Sequence, residues 1–306
     1  MDTIVKNNLK NTDKNCAADH RQAKFEAFTD SRSVSNPIYQ SRFQKLEKSL
    51  TELFLKELRA ENSIFIKVDP GVIKKAALFL SKMVSRPVSI GVCGETASGK
   101  STIVMDSMDT IENFSQEFLL ENLVTRINTD DYYYDRSKEV ISAGSFAEFT
   151  KNYDLDVPHA IELELMKKHI QMLLSNKEVY LPRYDMSGTA KRYENETLAK
   201  PCPIVVSEGL FTLVDGIEDA FDFKIYVDIE KSVQKRRFFE RAQQRGLGDS
   251  AEGIFANASE KASIYIKPCA KNADIILNGE VSRERFKHFV SAFLMLIEEV
   301  HYNLTI

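Results

Sequence analysis

Pro87-Val88-Ser89-Ile90-Gly91-Val92-Cys93-Gly94-Glu95-Thr96-Ala97-Ser98-Gly99-Lys100-Ser101-Thr102 is the stretch from which the rest of the chain is read. Val88 to Cys93 is a short apolar run, the pattern of a buried strand. It leads straight into Gly94-x-x-x-x-Gly99-Lys100-Ser101, a phosphate-binding loop pattern with every position filled. The glycines allow a tight turn in which successive N–H groups converge on an anion. From Lys100 onward the chain opens a helix, whose orphan N-terminal N–H groups also favour negative charge. In such a loop the lysine reaches the outer phosphates and the following hydroxyl ligates Mg²⁺, roles that fall to Lys100 and Ser101. Gly94, Glu95, Thr96, Ala97, Ser98, Gly99, Lys100, Ser101 and Thr102 are the expected nucleotide-binding set, with ATP and Mg²⁺ as ligands. A glycine-rich turn that only mimics the pattern would lack the strand before it and the helix after it.

The 306 residues, 43% hydrophobic and 28% charged, are enough for a sizeable core with an extension. A formal net charge of -4 gives no broad electrostatic reason to bind nucleic acid. Cys16, Cys93, Cys202 and Cys269 lack metal-ligand spacing, and their usage fits a reducing compartment. The first residues show no apolar signal region, and no window approaches a membrane span of ~18 apolar residues. The expectation is a cytoplasmic protein without membrane contact.

Working outward, residues 1–84 read as a polar tail and helical extension, and 85–306 as a phosphate-loop domain. Residues 1–36 are polar and aperiodic. Phe43, Leu46, Leu50 and Leu53 then recur at helical spacing, extended by Phe54 and Leu58. Asp69-Pro70 signals the start of a second helix through Val72, Ile73, Ala76, Ala77, Leu80 and Met83. These helices either pack on the core, mediate homo-oligomer contact, or form an appended subdomain.

Beyond the loop, Leu123 to Asn128 reads as a strand that delivers Thr129-Asp130-Asp131-Tyr132-Tyr133-Tyr134 to its C-terminal end. In open parallel sheets that edge is where ligands sit. A carboxylate there can take the proton of an attacking hydroxyl and help hold a metal. The alternative is that Asp130 and Asp131 are loop or capping carboxylates. A helix over Pro158 to Leu174, a hairpin of Glu178–Leu181 with Tyr193–Leu198, and strands at Pro203–Ser207, Phe223–Asp228 and Asn272–Leu277 follow. A final amphipathic helix over about Arg283 to Val300 uses Phe286, Phe289, Val290, Phe293, Leu294 and Ile297. Strands alternating with helices make an α/β fold of the P-loop NTPase type, a doubly wound, mostly parallel sheet.

Asp130-Asp131-Tyr132-Tyr133 resembles the D-x-F/Y-Y signature of the uridine kinase and phosphoribulokinase family of small-molecule kinases. Tyr153-Asp154-Leu155-Asp156-Val157-Pro158-His159-Ala160-Ile161-Glu162 is similar to that family's Y-N-F-D-H-P-D-A-x-D block. Pro182-Arg183-Tyr184-Asp185 with Lys191-Arg192 resembles its P-x-Y-D…R block, and Ser207-Glu208-Gly209-Leu210 its E-G-I turn. The resemblance covers roughly residues 85–280. It implies Asp130 as catalytic base, Ser101, Asp130 and Glu208 at the metal, and Tyr132, Asp156, Tyr184, Arg192 and Arg241 as acceptor-binding residues. The chain departs from the family at Asp154, Leu155, Val157 and His159, and Met186 to Ala190 offer no counterpart to its base-contacting histidine.

Between Lys231 and Gly246 the chain is basic, and Arg237, Arg241 and Arg245 recur every four residues on one helix face. Such a run is commonly a solvated face. In a phosphate-loop kinase it is also the place for a helical lid that neutralises charge on the transferred group, and the resemblance puts that lid here. Lys100, Asp130, Arg237 and Arg245 form the expected catalytic set. Together these readings imply ATP-dependent transfer to a small-molecule hydroxyl acceptor, uridine or cytidine first. A sugar phosphate, glycerate or pantothenate is the alternative acceptor, and a non-catalytic nucleotide-binding regulator the alternative function.

Overall fold

The computed structural model describes residues 37–83, 86–117, 123–248 and 250–301, with side chains from 40 to 296 within those limits. The expected tail over 1–36 and the side chain of Ile297 lie outside the described residues. The central strand β2 (Val88–Gly94) has β6 (Ile204–Gly209) on one side and β7 (Phe223–Asp228) on the other, all parallel. β3 (Val124–Asn128) extends the sheet beyond β6, and β8 (Ile275–Asn278) beyond β7, again parallel. β1 (Phe65–Val68) closes the β8 edge antiparallel, giving the order β1-β8-β7-β2-β6-β3.

The inner strands β2, β6 and β7 are largely apolar and buried, as suits a sheet covered on both faces. Ile204 and Val206 face a layer made by α1 (Pro37–Leu58), α2 (Val72–Met83), α3 (Lys100–Glu117) and α9 (Arg283–His301). Val205 and Cys93 face the opposite way, onto Met166, Ile170 and Leu173 of α6 (Leu163–Leu174). Two short helices, α4 (Ser137–Ala143) and α5 (Phe146–Thr150), lead towards α6. The antiparallel hairpin of β4 (Val179–Tyr184) and β5 (Arg192–Ala199) follows it as a separate sheet. After β7 come α7 (Lys231–Gln244) and α8 (Ser250–Lys261). No described helix is long and apolar enough to cross a membrane.

The helices ahead of β2 pack on the core. Leu46, Leu50 and Phe54 are buried one turn apart. Phe54 stacks on Phe65 at 5.1 Å, and Phe289 meets both rings edge-on at 5.5 and 5.0 Å. Leu58, expected on the same face, is 40% exposed. The polar neighbour Glu57 takes the inward place, accepting from Ile64 N at 2.9 Å and Arg285 Nε at 2.8 Å. The second helix starts at Val72, because Asp69 Oδ1 accepts from Gly71 N at 2.7 Å and makes Asp69-Pro70-Gly71 a turn. Likewise, the helix expected from Pro158 begins at Leu163. Pro158–Ala160 is a short 3₁₀ turn, and Ile161 is extended and bridged to Tyr133.

α3 and α9 are joined by a buried carboxylate. Asp106 accepts from Arg283 through Nε at 2.9 Å and Nη2 at 2.5 Å, and those bonds hold its carboxyl below the ordinary 3.8. Arg283→Ala leaves this carboxylate with Lys287 Nζ at 3.6 Å in place of the guanidinium and is expected to cost about 1 kcal/mol of stability in urea unfolding at neutral pH. A depressed carboxylate contributes fully above its unfolded pKa and loses its contribution as pH falls through the folded value. The gap between wild type and variant should therefore close in acid; a gap independent of pH would reject the assignment.

Candidate active site

At the C-terminal edge of the sheet the chain leaves β2 through Gly94. An added Cβ there would sit 2.5 Å from the Val227 carbonyl oxygen of the neighbouring strand, so glycine is required. Ala97 holds a left-handed φ of 59° within the loop. On the far flank Gly279, just after β8, packs so tightly that a Cβ would collide with the Ser98 carbonyl oxygen. Lys100 is buried at the start of α3, and its Nζ donates to the Glu95 carbonyl at 2.8 Å. Ser98 Oγ is buried in the same loop without a hydrogen-bond partner. An ammonium and an unmatched hydroxyl inside a ring of backbone fit phosphate oxygens. Ser101 and Thr102 lie exposed in the first turn of α3.

Two neighbouring strands bring carboxylates to this loop. Glu208 ends β6, is 3% exposed, and pairs with Arg126 of β3. Past β3, a 3₁₀ turn over Thr129–Tyr132 is capped by Asn128, whose Oδ1 accepts from Asp130 N at 3.3 Å. Thr129 Oγ1 donates to the Glu208 carbonyl at 2.7 Å and fastens the turn to β6. A 3₁₀ turn repeats every three residues. Thr129 and Tyr132 accordingly share the side packed on Thr212 and His169, while Asp130 and the buried Tyr133 share the side towards Asp156. Burial pushes the Lys100 ammonium down, and the charges of Asp130 and Glu208 push it back up. Burial lifts Asp130 above the usual carboxylate range, and Lys100 opposes that rise. Asp131 points elsewhere, accepting from Tyr184 N of the hairpin at 3.2 Å.

Asp156 stands near Asp130, close enough that burial, Asp154 and Asp130 all raise it. Asn257 of α8 reaches Asp154 and Asp156 at 3.4 Å each, and Lys261 pairs with Asp154 at 3.1 Å. The Tyr184 ring lies 5.1 Å from Tyr133; its buried hydroxyl has no hydrogen-bond partner, and burial pushes the phenol up to about 12. Tyr133, whose hydroxyl donates to Leu155 O at 3.2 Å, feels the charges of Asp130 and Asp156. Tyr132 lies in the core with its hydroxyl 2.9 Å from His169 Nδ1, so Tyr133 is the tyrosine on the site side. Arg192 braces the hairpin through Glu162 at 2.9 Å and Glu194 at 2.6 Å.

Helix α7 rests on the loop. Gln234 Nε2 donates to Thr96 O at 2.9 Å, and Arg241 Nη2 to Thr96 Oγ1 at 2.8 Å. Arg237 Nη1 donates to Gly279 O at 2.9 Å, beside Gly99. Arg245, one turn on, is exposed at the helix end. Sequence reasoning missed Tyr133, Gln234, Asn257 and Arg126. Only Tyr133 carried a signal, its place three residues after Asp130.

Among the described residues no cluster of three or more His, Cys, Asp or Glu side chains could hold a metal alone. Ser101, Asp130 and Glu208 offer oxygen donors only, which suits Mg²⁺ shared with phosphates rather than a cage made by protein.

The sequence profile of the Phosphoribulokinase / Uridine kinase family matches residues 89–284. The chain is 33% identical over 199 residues to a uridine kinase of Clostridium tetani, spanning 64% of this chain and 88% of that one. It is 28% identical over 193 residues to a uridine kinase of Halobacterium salinarum, spanning 62% and 79%. Among solved structures it is similar to a D-glycerate 3-kinase of Cryptococcus neoformans at 11% identity and a TM-score of 0.47, covering 78% of this chain and 96% of that one.

Lys100→Ala removes the ammonium held in the loop and should weaken ATP binding at least about tenfold, the loss of one charge-assisted hydrogen bond. Arg245→Ala, altering an exposed helix end, should change ATP affinity far less. Calorimetric titration of both variants checks the ranking, and equal losses would contradict the loop geometry.

Proposed function

From the premise that the chain belongs to the phosphoribulokinase/uridine kinase family, we propose that it transfers the γ-phosphoryl group of ATP to a hydroxyl of a small neutral metabolite, uridine or cytidine first. The observation that carries this reading is the meeting of Lys100, Glu208 and Asp130 at one sheet edge, with Asp156 beside Asp130. Asp130 takes the proton of the attacking hydroxyl. Ser101, Asp130 and Glu208 would hold Mg²⁺, which supplies Lewis-acid stabilisation of the phosphates when bound. Lys100, with Arg237 and Arg241 from α7, neutralises charge on the group in transfer. Arg245 joins them only through movement of the lid.

Charge selects the acceptor class. Asp130 and Asp156 face the acceptor side, with Asp154 paired to Lys261, so the pocket accepts hydrogen bonds and disfavours anions. A ribose diol donates to such a wall, whereas glycerate or a sugar phosphate brings a charge of the same sign. This favours a nucleoside over the phosphorylated and carboxylated alternatives. Val157 and the Ser187-Gly188-Thr189 segment leave the base edge with fewer polar partners than in the resembling kinases, so a raised KM for the nucleoside is expected.

ADP release measured against a panel of nucleosides, sugar phosphates, glycerate and pantothenate is the test. Turnover confined to the anionic acceptors would overturn the charge argument. Asp130→Asn should lower kcat by a factor on the order of 10² or more while ATP affinity stays within a few-fold. Asp131→Asn should do much less, since that carboxylate serves the hairpin. The reverse ranking would remove Asp130 from the base role.

The base must be ionised, so activity should fall in acid, and the residual activity of Asp130→Asn should lack that acid limb. An acid limb kept in full by Asp130→Asn would remove Asp130 from the base role.

A further inference from the structure

Arg126 has no part in the chemistry above, yet it is the charged partner of the most buried carboxylate at the site. It lies on β3 opposite Val206, two residues before Asn128, which pairs with Glu208. Arg126, Asn128 and Glu208 thus share one face of the sheet. The Arg126 guanidinium reaches forward along that face and binds Glu208 Oε1 through Nη2. Glu208 is also fixed from behind, since its carbonyl oxygen accepts from Thr129 Oγ1. From the other side Arg126 lines a cavity of about 260 Å³ with Asn128, Asp131, Leu181, Pro182 and Arg183.

We propose that Arg126 is a positioning residue. It holds one oxygen of Glu208 so that the other stays turned towards Lys100 and the phosphate loop, ready for a divalent cation arriving with the nucleotide. The inference rests on the kinase reading of the loop. A buried carboxylate with two rotatable oxygens is a poor metal partner until a second group fixes it, and such supporting partners are typically worth about 10–100-fold in metal affinity. A guanidinium suits the task, because its planar fork holds a carboxylate in one orientation and it stays charged when half-buried. The rival effect is repulsion, since a cation beside Glu208 also opposes Mg²⁺. Arg126 and Arg183 face Glu208 and Asp131, two cations to two carboxylates, so the guanidinium is charge-compensated and adds little net repulsion.

The test is calorimetric titration of the full chain with ATP, first in EDTA and then at rising Mg²⁺. In wild type, Mg²⁺ should tighten ATP binding; if it does not, the loop reading fails along with the proposal, and this is seen before any variant is made. In Arg126→Met, ATP affinity without Mg²⁺ should stay within about twofold, while the Mg²⁺ concentration for half-maximal tightening rises about tenfold or more. Arg126→Lys should recover part of the loss. The cavity leaves room for a free guanidinium ion, so guanidinium added to Arg126→Ala at millimolar concentration should recover part of it too. An unchanged or lowered Mg²⁺ requirement in Arg126→Met would overturn the proposal, as would an equal loss of ATP binding with and without Mg²⁺. Should the Met variant fail to fold, Arg126→Lys carries the comparison, and a wild-type Mg²⁺ requirement unaffected by that change would count against the proposal.

Discussion

Most of this molecule is arranged so that the Lys100 ammonium can be buried. Removing a cation from water costs several kcal/mol unless partners replace the solvent. Lys100 finds the Glu95 carbonyl within its own loop and the charges of Glu208 and Asp130 beyond it. Those groups come from the ends of β2, β6 and β3, which are adjacent and parallel, so their C-terminal ends fall on one edge. Separating β6 from β2 in the strand order would leave the ammonium buried without a carboxylate. Compensation also runs the other way. Burial raises Asp130 above the usual carboxylate range, and Lys100 opposes that rise. Fold and site are therefore a single constraint, met by strand order.

Helix α7, where the lid was expected, and helix α8 are placed by the same edge. Gln234 and Arg241 of α7 hold the loop at Thr96, and Phe238 on the buried side of α7 packs against Phe255 of α8 at 5.0 Å. Phe238, Ala242, Ala251 and Phe255 form a small apolar cluster of their own, separate from the two layers on the sheet. Through that cluster the two helices behave as one body. They touch the phosphate-binding loop pattern through α7 and the carboxylates Asp154 and Asp156 through Asn257 of α8. Their contacts with the loop include the two polar ones at Thr96 and an apolar one at Ala97, while α8 runs on into Ala262 and Ile266 of the main core, so the pair is held in the core at one end and by side-chain contacts at the loop.

What the sequence disclosed divides along the range of the interactions. The five parallel strands, the phosphate loop and the hairpin were legible because each is written in consecutive residues, as apolar runs or glycine spacing. β1 was not. It has four residues, Ile66 is 53% exposed, and a register shift between Phe65 and Lys67 spoils any alternation, so its pairing depends on β8 more than two hundred positions away. Asp130, Asp156, Tyr184 and Glu208 were singled out by resemblance to ordered blocks. Their convergence on Lys100 or on one another is a property of the topology alone. Tyr132 illustrates the limit. Two adjacent tyrosines are equivalent to a pattern reader, and only the 3₁₀ turn sends Tyr132 to His169 and Tyr133 to the site. Arg126 and Asn257 looked like ordinary polar residues because their partners lie 82 and 101 positions away.

The contacts of Asn257 bear on how binding at the acceptor pocket reaches the lid. At 3.4 Å its bonds to Asp154 and Asp156 are long, beyond the range in which amide–carboxylate hydrogen bonds are strong. On the kinase reading proposed above, an acceptor hydroxyl donating to Asp156 at ordinary distance would make the better bond and compete with Asn257 for that oxygen. Lys261 remains on Asp154 at 3.1 Å, so α8 would stay tethered at one carboxylate while released from the other. The amide freed by that exchange lies beside the new ligand and can donate to, or accept from, a second hydroxyl. On that reading a vicinal diol would engage both Asp156 and Asn257, whereas with a single hydroxyl Asn257 would keep only its long bond to Asp154. Discrimination for a diol would then arise partly from α8, whose Phe255 packs on Phe238 of α7, the helix that bears Arg237 and Arg241.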